Sequence, residues 1–249
     1  MAWFISFEGG EGAGKTSQAE HLVSRLRKEG VPAHFIHEPG TTSLGSYLRE
    51  YLKREAWRDE TISHSAELFM FAAARAELVT TVINPMLRQN RGTVIVADRF
   101  ADSTLAYQGY GRRLSLDDVR VVNALATQGL DPDLTFLLDC KPEDGLKRVG
   151  ALQSRLALEA EAGSTASRID QEGTRRFEDE SLDFHKRVRD GYLKLASLEP
   201  SRWRILDATK PFEAVAESVW KEVQQLFSTD SKDDDTETDL RLEMPKSRP

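Results

Sequence analysis

The residues most able to do chemistry form one short run near the amino terminus. The run consists of Gly9, Gly10, Glu11, Gly12, Ala13, Gly14, Lys15 and Thr16, which matches the phosphate-binding pattern GxxxxGK[ST]. Glycines let backbone N–H groups turn toward phosphate oxygens, the lysine reaches the outer phosphates, and the threonine hydroxyl can coordinate Mg²⁺. A turn that only joins a strand to a helix is the alternative. Because an apolar run precedes the motif and an amphipathic one follows it, we predict a nucleotide-binding site.

A second polar pair ends a buried-looking run at residues 93–97. Asp98 and Arg99 follow this run, at the sheet edge where the glycine-rich loop would also open. Asp98 can hold Mg²⁺ or its waters, and Arg99 can bind a phosphate through two parallel hydrogen bonds. Taken alone, the pair could equally be a helix-capping aspartate beside a surface arginine.

These residues need a sheet to position them, and five short apolar runs predict its strands. The runs cover residues 4–7, 33–37, 93–97, 135–138 and 203–206. Their nearly continuous apolar character is typical of parallel strands covered on both faces, and longer amphipathic segments alternate with them. We therefore predict an α/β fold: a five-stranded parallel sheet flanked by helices, with its ligand cleft at the carboxyl ends of the strands.

Length and composition exclude several classes of protein. The chain has 249 residues, 39% hydrophobic and 30% charged, which is typical of a soluble globular protein. It has no apolar run of about 18 residues and no basic leader, so we expect neither a membrane span nor export. A single cysteine, Cys140, and the absence of zinc-ligand spacing favour the cytoplasm. A net charge of −7 argues against a surface devoted to nucleic acid, so we expect no nucleic-acid or membrane partner.

Two segments differ from the rest in composition. Residues 228–249 hold seven acidic and four basic residues and few large apolar ones, so they cannot bury enough surface to order themselves. We predict a domain at residues 1–227 and an acidic, disordered tail at residues 228–249. Residues 157–167 are small and polar, which is typical of a mobile surface segment.

Five motifs, in order along the chain, resemble the bacterial thymidylate kinase family. They are residues 7–16, residues 38–40, residues 71–75, residues 98–100 together with 103–109, and residues 205–209. The match extends from about residue 3 to residue 227. The resemblance implies a P-loop NTPase fold with a mobile lid at about residues 150–178. It also implies transfer of the γ-phosphoryl group of Mg-ATP to dTMP, giving dTDP and ADP for dTTP synthesis, by a homodimer.

The resemblance also implies roles for individual residues. Residues 9–16 would bind ATP, Lys15 and Arg99 would act on the transferred group, and Thr16 and Asp98 would hold Mg²⁺. Phe71 would stack on the pyrimidine, and Arg75, one helical turn later, would donate to its exocyclic oxygen. The other residues expected to bind the acceptor are Glu11 at the 3′-hydroxyl, Tyr107 below the deoxyribose, Ser103 and Thr104 at the base edge, Arg49 and Arg99 at the phosphate, and Glu38 and Gln108.

The chain departs from the family pattern near the loop and the lid. Gly12 stands where some members have a basic residue, which implies that a lid arginine stabilises the transition state. Arg155 and Arg176 are the favoured candidates, and Arg168 is a third. The nearest alternative function is another P-loop nucleoside or nucleotide kinase. A nucleotide-dependent switch is a weaker alternative, because the guanine motif NKxD is missing.

Overall fold

The sheet confirms the predicted fold class. The computed structural model of the chain describes residues 1–53, 62–89, 92–161, 177 and 180–239. Its strands are β1 Trp3–Glu8, β2 Ala33–His37, β3 Val94–Asp98, β4 Leu134–Asp139 and β5 Trp203–Asp207. All pairings are parallel, in the order β2-β3-β1-β4-β5. Each predicted strand end lies within one residue of the observed one.

Helices connect the strands, and two π-helical segments interrupt them. Within the described residues the helices are α1 Lys15–Lys28, α2 Ser43–Lys53, α3 His64–Leu78, α4 Asn84–Gln89, α5 Ala101–Thr104, α6 Leu116–Thr127, α7 Pro142–Glu161, α8 Leu182–Leu198 and α9 Phe212–Asp239. The π-helical segments are Val79–Ile83, between α3 and α4, and Leu105–Gly111, directly after α5. A π turn adds one residue to the helical repeat and is frequent at functional sites.

The central strand β1 buries both of its faces. Ile5 and Phe7 belong to an apolar cluster that includes α1 and α9. Phe4 points to the other face, where its ring meets that of Phe100 nearly at a right angle, with centroids 4.8 Å apart. Because side chains alternate along a strand, Glu8 lies on the Phe4 face. The strand therefore delivers a carboxylate into the interior at its carboxyl end.

Three strand ends bring the predicted site residues together. Asp98, the last residue of β3, is in register with Phe7 of β1 on one side and with His37 of β2 on the other. Residues that follow these positions must therefore share one edge of the sheet. Glu38 and Arg99 each follow a strand directly, so a cleft at the carboxyl ends receives both.

The predicted lid and tail lie only partly in the described chain. Helix α7 extends to Glu161 and so contains the first residues of the predicted lid, whereas residues 162–176 and 178–179 lie outside the described residues. Helix α9 continues through the predicted boundary at residue 227 to Asp239, where we expected disorder; residues 240–249 lie outside the described residues. The lid and the tail remain predictions. None of the described helices is both long and apolar enough to cross a bilayer.

Two glycines let the loop after β1 contact helix α7 through backbone atoms. Gly12 has φ 67°, and a Cβ added to it would lie 2.1 Å from the carbonyl oxygen of Gly145. A Cβ added to Gly145 would lie 2.1 Å from the carbonyl oxygen of Glu11. Side chains at either position would therefore separate the loop from the helix.

This contact predicts different effects for two glycine substitutions in α7. We expect Gly145→Ala to lower the free energy of unfolding by about 1–3 kcal/mol, because the new methyl group overlaps the loop backbone. Gly150→Ala is the matched control, since no atom of the described residues outside its own helix backbone lies within 4 Å of its Cβ position; it should stabilise the helix by about 0.5–1 kcal/mol. Urea unfolding measures both. Equal effects would contradict the close contact.

Candidate functional site

The loop between β1 and α1 has the geometry of an anion site. Gly14 takes a left-handed conformation, φ 89°, at the start of α1, and among the described residues no side chain caps this helix end. Lys15 is buried, and its Nζ donates to the carbonyl of Gly10 at 2.7 Å. Free N–H groups at a helix start and an inward lysine together attract phosphate oxygens.

Thr16 and Asp98 meet directly beside this loop. The Thr16 hydroxyl donates to Oδ2 of Asp98 at 2.5 Å, and Oδ1 of Asp98 is buried with no hydrogen-bond partner in the described part of the chain. A buried oxygen without a partner and a neighbouring hydroxyl fit Mg²⁺, which takes oxygen ligands and few of them from protein when a nucleotide is bound. The described residues contain no cluster of three His, Cys, Asp or Glu that could hold a metal alone.

Arg99 forms hydrogen bonds with five residues around the site. Its backbone has φ 69°, which places the side chain toward the glycine-rich loop. Its guanidinium donates to the carbonyl of Gly9, the carboxylate of Glu11 and the hydroxyls of Ser103, Tyr107 and Tyr192, at 3.0–3.2 Å. Burial alone would raise the pKa of Glu11, but the charges of Arg99 and Lys15 lower it below the usual range. Glu11 is therefore a stable carboxylate, and the Tyr107 hydroxyl donates to it at 2.6 Å.

Glu8 is a buried carboxylate that sequence reasoning did not assign. It accepts hydrogen bonds from the Phe100 backbone N–H at 2.7 Å, the Ser103 hydroxyl at 2.6 Å and the Tyr192 hydroxyl at 3.0 Å. Burial, and secondarily the charge of Asp102, raises the pKa of Glu8 to about 7. Glu8 thus fixes the backbone just after Arg99 and two of the hydroxyl groups that Arg99 contacts.

Arg75 is a buried guanidinium held by polar groups. Its Nε donates to Oε2 of Glu38 at 3.1 Å, and Nη2 donates to the other oxygen of that carboxylate. Nη1 donates to Asn123 at 2.6 Å, and Nη2 also donates to Thr104 at 2.8 Å. Charge pairing of this kind is needed when an arginine is buried. The pair orients Arg75 one turn from Phe71 on α3.

Every residue predicted to bind the acceptor lines one cavity of about 140 Å³. These residues are Glu11, Glu38, Arg49, Phe71, Arg75, Arg99, Ser103, Thr104, Tyr107 and Gln108. The same cavity is also lined by residues for which we predicted no acceptor role, namely Pro39, Leu52, Phe100 and Phe177. Arg49 donates to the carbonyl of Pro39 at 2.9 Å. The cavity adjoins the phosphate loop because Glu11 belongs to both.

A second cavity, of about 220 Å³, lies on the other side of the loop. It is lined by Ala13, Gly14, Gln18, Arg148, Ala208, Lys210, Phe212 and Val215. Arg148 donates to the carbonyl of Ala208 at 2.9 Å, which joins α7 to the segment after β5.

The side chains of the predicted lid arginines lie outside the described residues, so the structure places none of them at either cavity. Arg155 lies in α7 with a side chain outside the described part of the chain, and Arg176 and Arg168 lie outside it altogether. Sequence reasoning also missed Tyr192 and Arg112, which contact the site from far along the chain. Only Glu8 had a local signal, a carboxylate at the end of an apolar strand.

A parallel sheet whose first strand leads through a glycine-rich phosphate loop into a helix defines a P-loop nucleotide-binding protein. The model of the thymidylate kinase family matches residues 7–219. The chain is 46% identical to the thymidylate kinase of Thermomicrobium roseum over 228 residues, which cover 91% of this chain and 97% of that one. It is also 46% identical to that of Desulfovibrio desulfuricans over 212 residues, 85% and 90% of the two chains.

A solved structure agrees with these sequence relatives. The crystal structure of thymidylate kinase from Ehrlichia chaffeensis matches with a TM-score of 0.66 at 28% identity, and covers 90% of this chain and 98% of that one. The chain belongs to the thymidylate kinase family. The resemblance drawn from the five motifs is confirmed.

The raised pKa of Glu8 predicts a pH-dependent stability difference between the wild type and Glu8→Gln. Below about pH 4.5 the carboxyl is protonated in both the folded and unfolded chains. Between about pH 4.5 and pH 7 the unfolded chain releases this proton while the folded chain keeps it, so the wild type should lose about 3 kcal/mol of unfolding free energy relative to the variant. The difference should be constant above that range.

Urea unfolding between pH 4.5 and 8.5 measures this difference. Glu217→Gln is the control, because Glu217 is an exposed carboxylate that pairs with Arg25 on the surface. A stability difference between the wild type and Glu8→Gln that does not vary with pH would contradict the raised pKa.

Proposed function

We propose that the protein transfers the γ-phosphoryl group of ATP to dTMP, giving dTDP and ADP for dTTP synthesis. One observation supports this proposal above the others: the residues expected to bind dTMP line a single cavity that shares Glu11 with the phosphate loop. An acceptor in this cavity and a triphosphate on the loop would lie next to each other. Such alignment can supply about 7–11 kcal/mol of the barrier reduction.

The acceptor cavity has a base end and a phosphate end. At the base end, Phe71 offers a ring for stacking, and Arg75 is held by Glu38 with its guanidinium on the cavity wall. At the other end, Arg99 and Arg49 supply positive charge for a phosphate. Tyr107, fixed by Glu11, lies between them and would restrict the sugar to a deoxyribose.

The donor nucleotide would place its phosphates on the loop and its base in the second cavity. Arg148 has an exposed guanidinium face at this cavity, and Ala13 and Gly14 connect it to the start of α1. Lys15 would exchange its contact with the Gly10 carbonyl for contacts with the outer phosphates. Because those phosphates carry the developing charge, the lysine would stabilise the transition state.

Thr16 and Asp98 would hold Mg²⁺, which would neutralise charge on the phosphate oxygens. The hydroxyl and carboxylate are already in contact, and one oxygen of Asp98 has no partner among the described residues. We further propose that Arg155 or Arg176 supplies the arginine that the loop lacks at Gly12, since a guanidinium can span two phosphoryl oxygens.

The proposed acceptor predicts a clear order of substrates. A methyl group in an apolar pocket is worth about 1–3 kcal/mol, so dUMP should have a kcat/KM roughly 10- to 200-fold below that of dTMP. ADP release should depend on the acceptor, which a nucleotide switch would not require. A coupled assay against a panel of nucleosides and monophosphates measures both properties.

Lys15→Ala is the control for this assay. It should abolish turnover with every acceptor while its melting temperature stays near that of the wild type, because Lys15 faces the ligand. Equal kcat/KM for dTMP and dUMP would mean that the cavity is not built for thymine. Higher activity with a different monophosphate would favour another kinase of the P-loop class.

We also propose a homodimer in the cytoplasm. Apolar side chains are exposed on three adjacent helices, α2, α3 and α6, at Tyr47 (66%), Phe69 (61%), Val121 (61%) and Leu125 (75%). Large apolar side chains exposed on neighbouring helices are a reason to expect a protein–protein contact on this side of the molecule. A second copy of the chain is the partner that the family resemblance implies.

The dimer predicts a change in mass on substitution of this surface. Val121→Asp combined with Leu125→Asp should shift the molar mass in light scattering from two chains to one, because charges would be buried without partners. Leu198→Asp, at an exposed position (60%) on α8, is the control and should remain dimeric. A wild type that is a monomer at micromolar concentration would contradict the proposal.

A further inference from the structure

Glu67 on α3 is a buried carboxylate that the proposed reaction does not use. Its side chain has no exposed surface, and it accepts a hydrogen bond from Nε2 of Gln108 at 2.9 Å. Arg112 donates to both of its oxygens, from Nε at 3.1 Å and from Nη2 at 3.2 Å. A buried carboxylate requires such partners. The result is a fixed connection between Arg112 and Gln108, a residue of the acceptor cavity.

The third guanidinium nitrogen of Arg112 contacts a second carboxylate. Nη1 donates to Glu180, which precedes helix α8. The guanidinium also lies 4.8 Å from the ring centroid of Phe184 and 5.7 Å from that of Phe177. A planar fork with several donors can join two carboxylates in this way, whereas a lysine cannot. Arg112 therefore joins α3 to Phe177, Glu180 and Phe184.

Phe177 forms part of the acceptor cavity wall. Its ring centroid lies 5.1 Å from that of Tyr107 and 6.1 Å from that of Phe71. The carbonyl of Phe177 accepts a hydrogen bond from the Glu180 backbone N–H at 3.1 Å. Holding Glu180 therefore also holds Phe177.

We propose that Arg112 is a positioning residue for the acceptor nucleotide, which seats Phe177 through Glu180 and orients Gln108 through Glu67. This inference rests on the proposed function, since the affected ligand is dTMP. Arg112 itself does not line the cavity. If Arg112 served only to neutralise Glu67, its contact with Glu180 would matter for stability but not for the affinity of the acceptor.

The deciding variant is Glu180→Ala, made in the full chain. It removes the contact that positions Phe177 and leaves the buried pair of Arg112 and Glu67 intact. Glu217→Ala is the matched control, because it also removes a carboxylate from an arginine, Arg25, but lies away from both cavities. Calorimetric titration with dTMP and with ATP, together with melting temperatures, gives the readout.

We expect Glu180→Ala to weaken dTMP binding roughly three- to tenfold, as for one lost charge-assisted contact. Its ATP affinity and melting temperature should stay near those of the wild type, and Glu217→Ala should bind both ligands normally. Arg112→Lys keeps the charge beside Glu67 and should weaken dTMP binding at least as much; if it does not fold, Glu180→Ala alone decides.

The experiment distinguishes a failure of this inference from a failure of the proposed function. If the wild type binds dTMP and Glu180→Ala binds it within about threefold of the wild type, the positioning role is wrong and the proposed function stands. If the wild type does not bind dTMP, the proposed function is wrong, and this inference is wrong with it. Equal weakening of dTMP and ATP binding would also overturn the inference, since it would indicate general distortion.

Discussion

The guanidinium of Arg99 forms hydrogen bonds with three parts of the chain that meet at the site. It contacts the loop after β1, the π-helical segment after α5 and the middle of α8. Because a cation whose side chain is only 19% exposed is costly unless its donors are satisfied, each of these elements supplies an oxygen at a fixed place. The shape of the acceptor cavity is therefore set by the geometry of one side chain and its partners.

Three carboxylates at or near the site each pair with a different arginine. Glu11 pairs with Arg99, Glu38 with Arg75 and Glu67 with Arg112. Glu8 differs, because hydroxyl and backbone donors surround it and no arginine pairs with it among the described residues. Because carboxylates already pair with Arg75 and Arg99 on the cavity wall, both guanidinium groups are held in place before any ligand binds. This arrangement is typical of a preorganised polar site.

Local sequence patterns predicted the sheet and the phosphate loop, whereas the family resemblance named the residues that line the acceptor cavity. The phosphate loop, Asp98 with Arg99, and Phe71 with Arg75 are each encoded within a few residues, so spacing alone places them on a common edge or helix face. Tyr192 and Arg112 could not be found in this way. They meet Glu8 and Glu67 across 184 and 45 residues, and neither has a local signal. Family resemblance supplied roles that spacing left open.

The π-helical segment Leu105–Gly111 also limits how many residues the chain can have between α5 and Arg112. An α-helix rotates by about 100° per residue, so the loss of a single residue here would restore α-helical register and turn everything before it relative to everything after it. Tyr107 could then no longer face Glu11 while Arg112 faces Glu67. An insertion or deletion within the segment would therefore displace Tyr107 and Gln108 from the cavity wall.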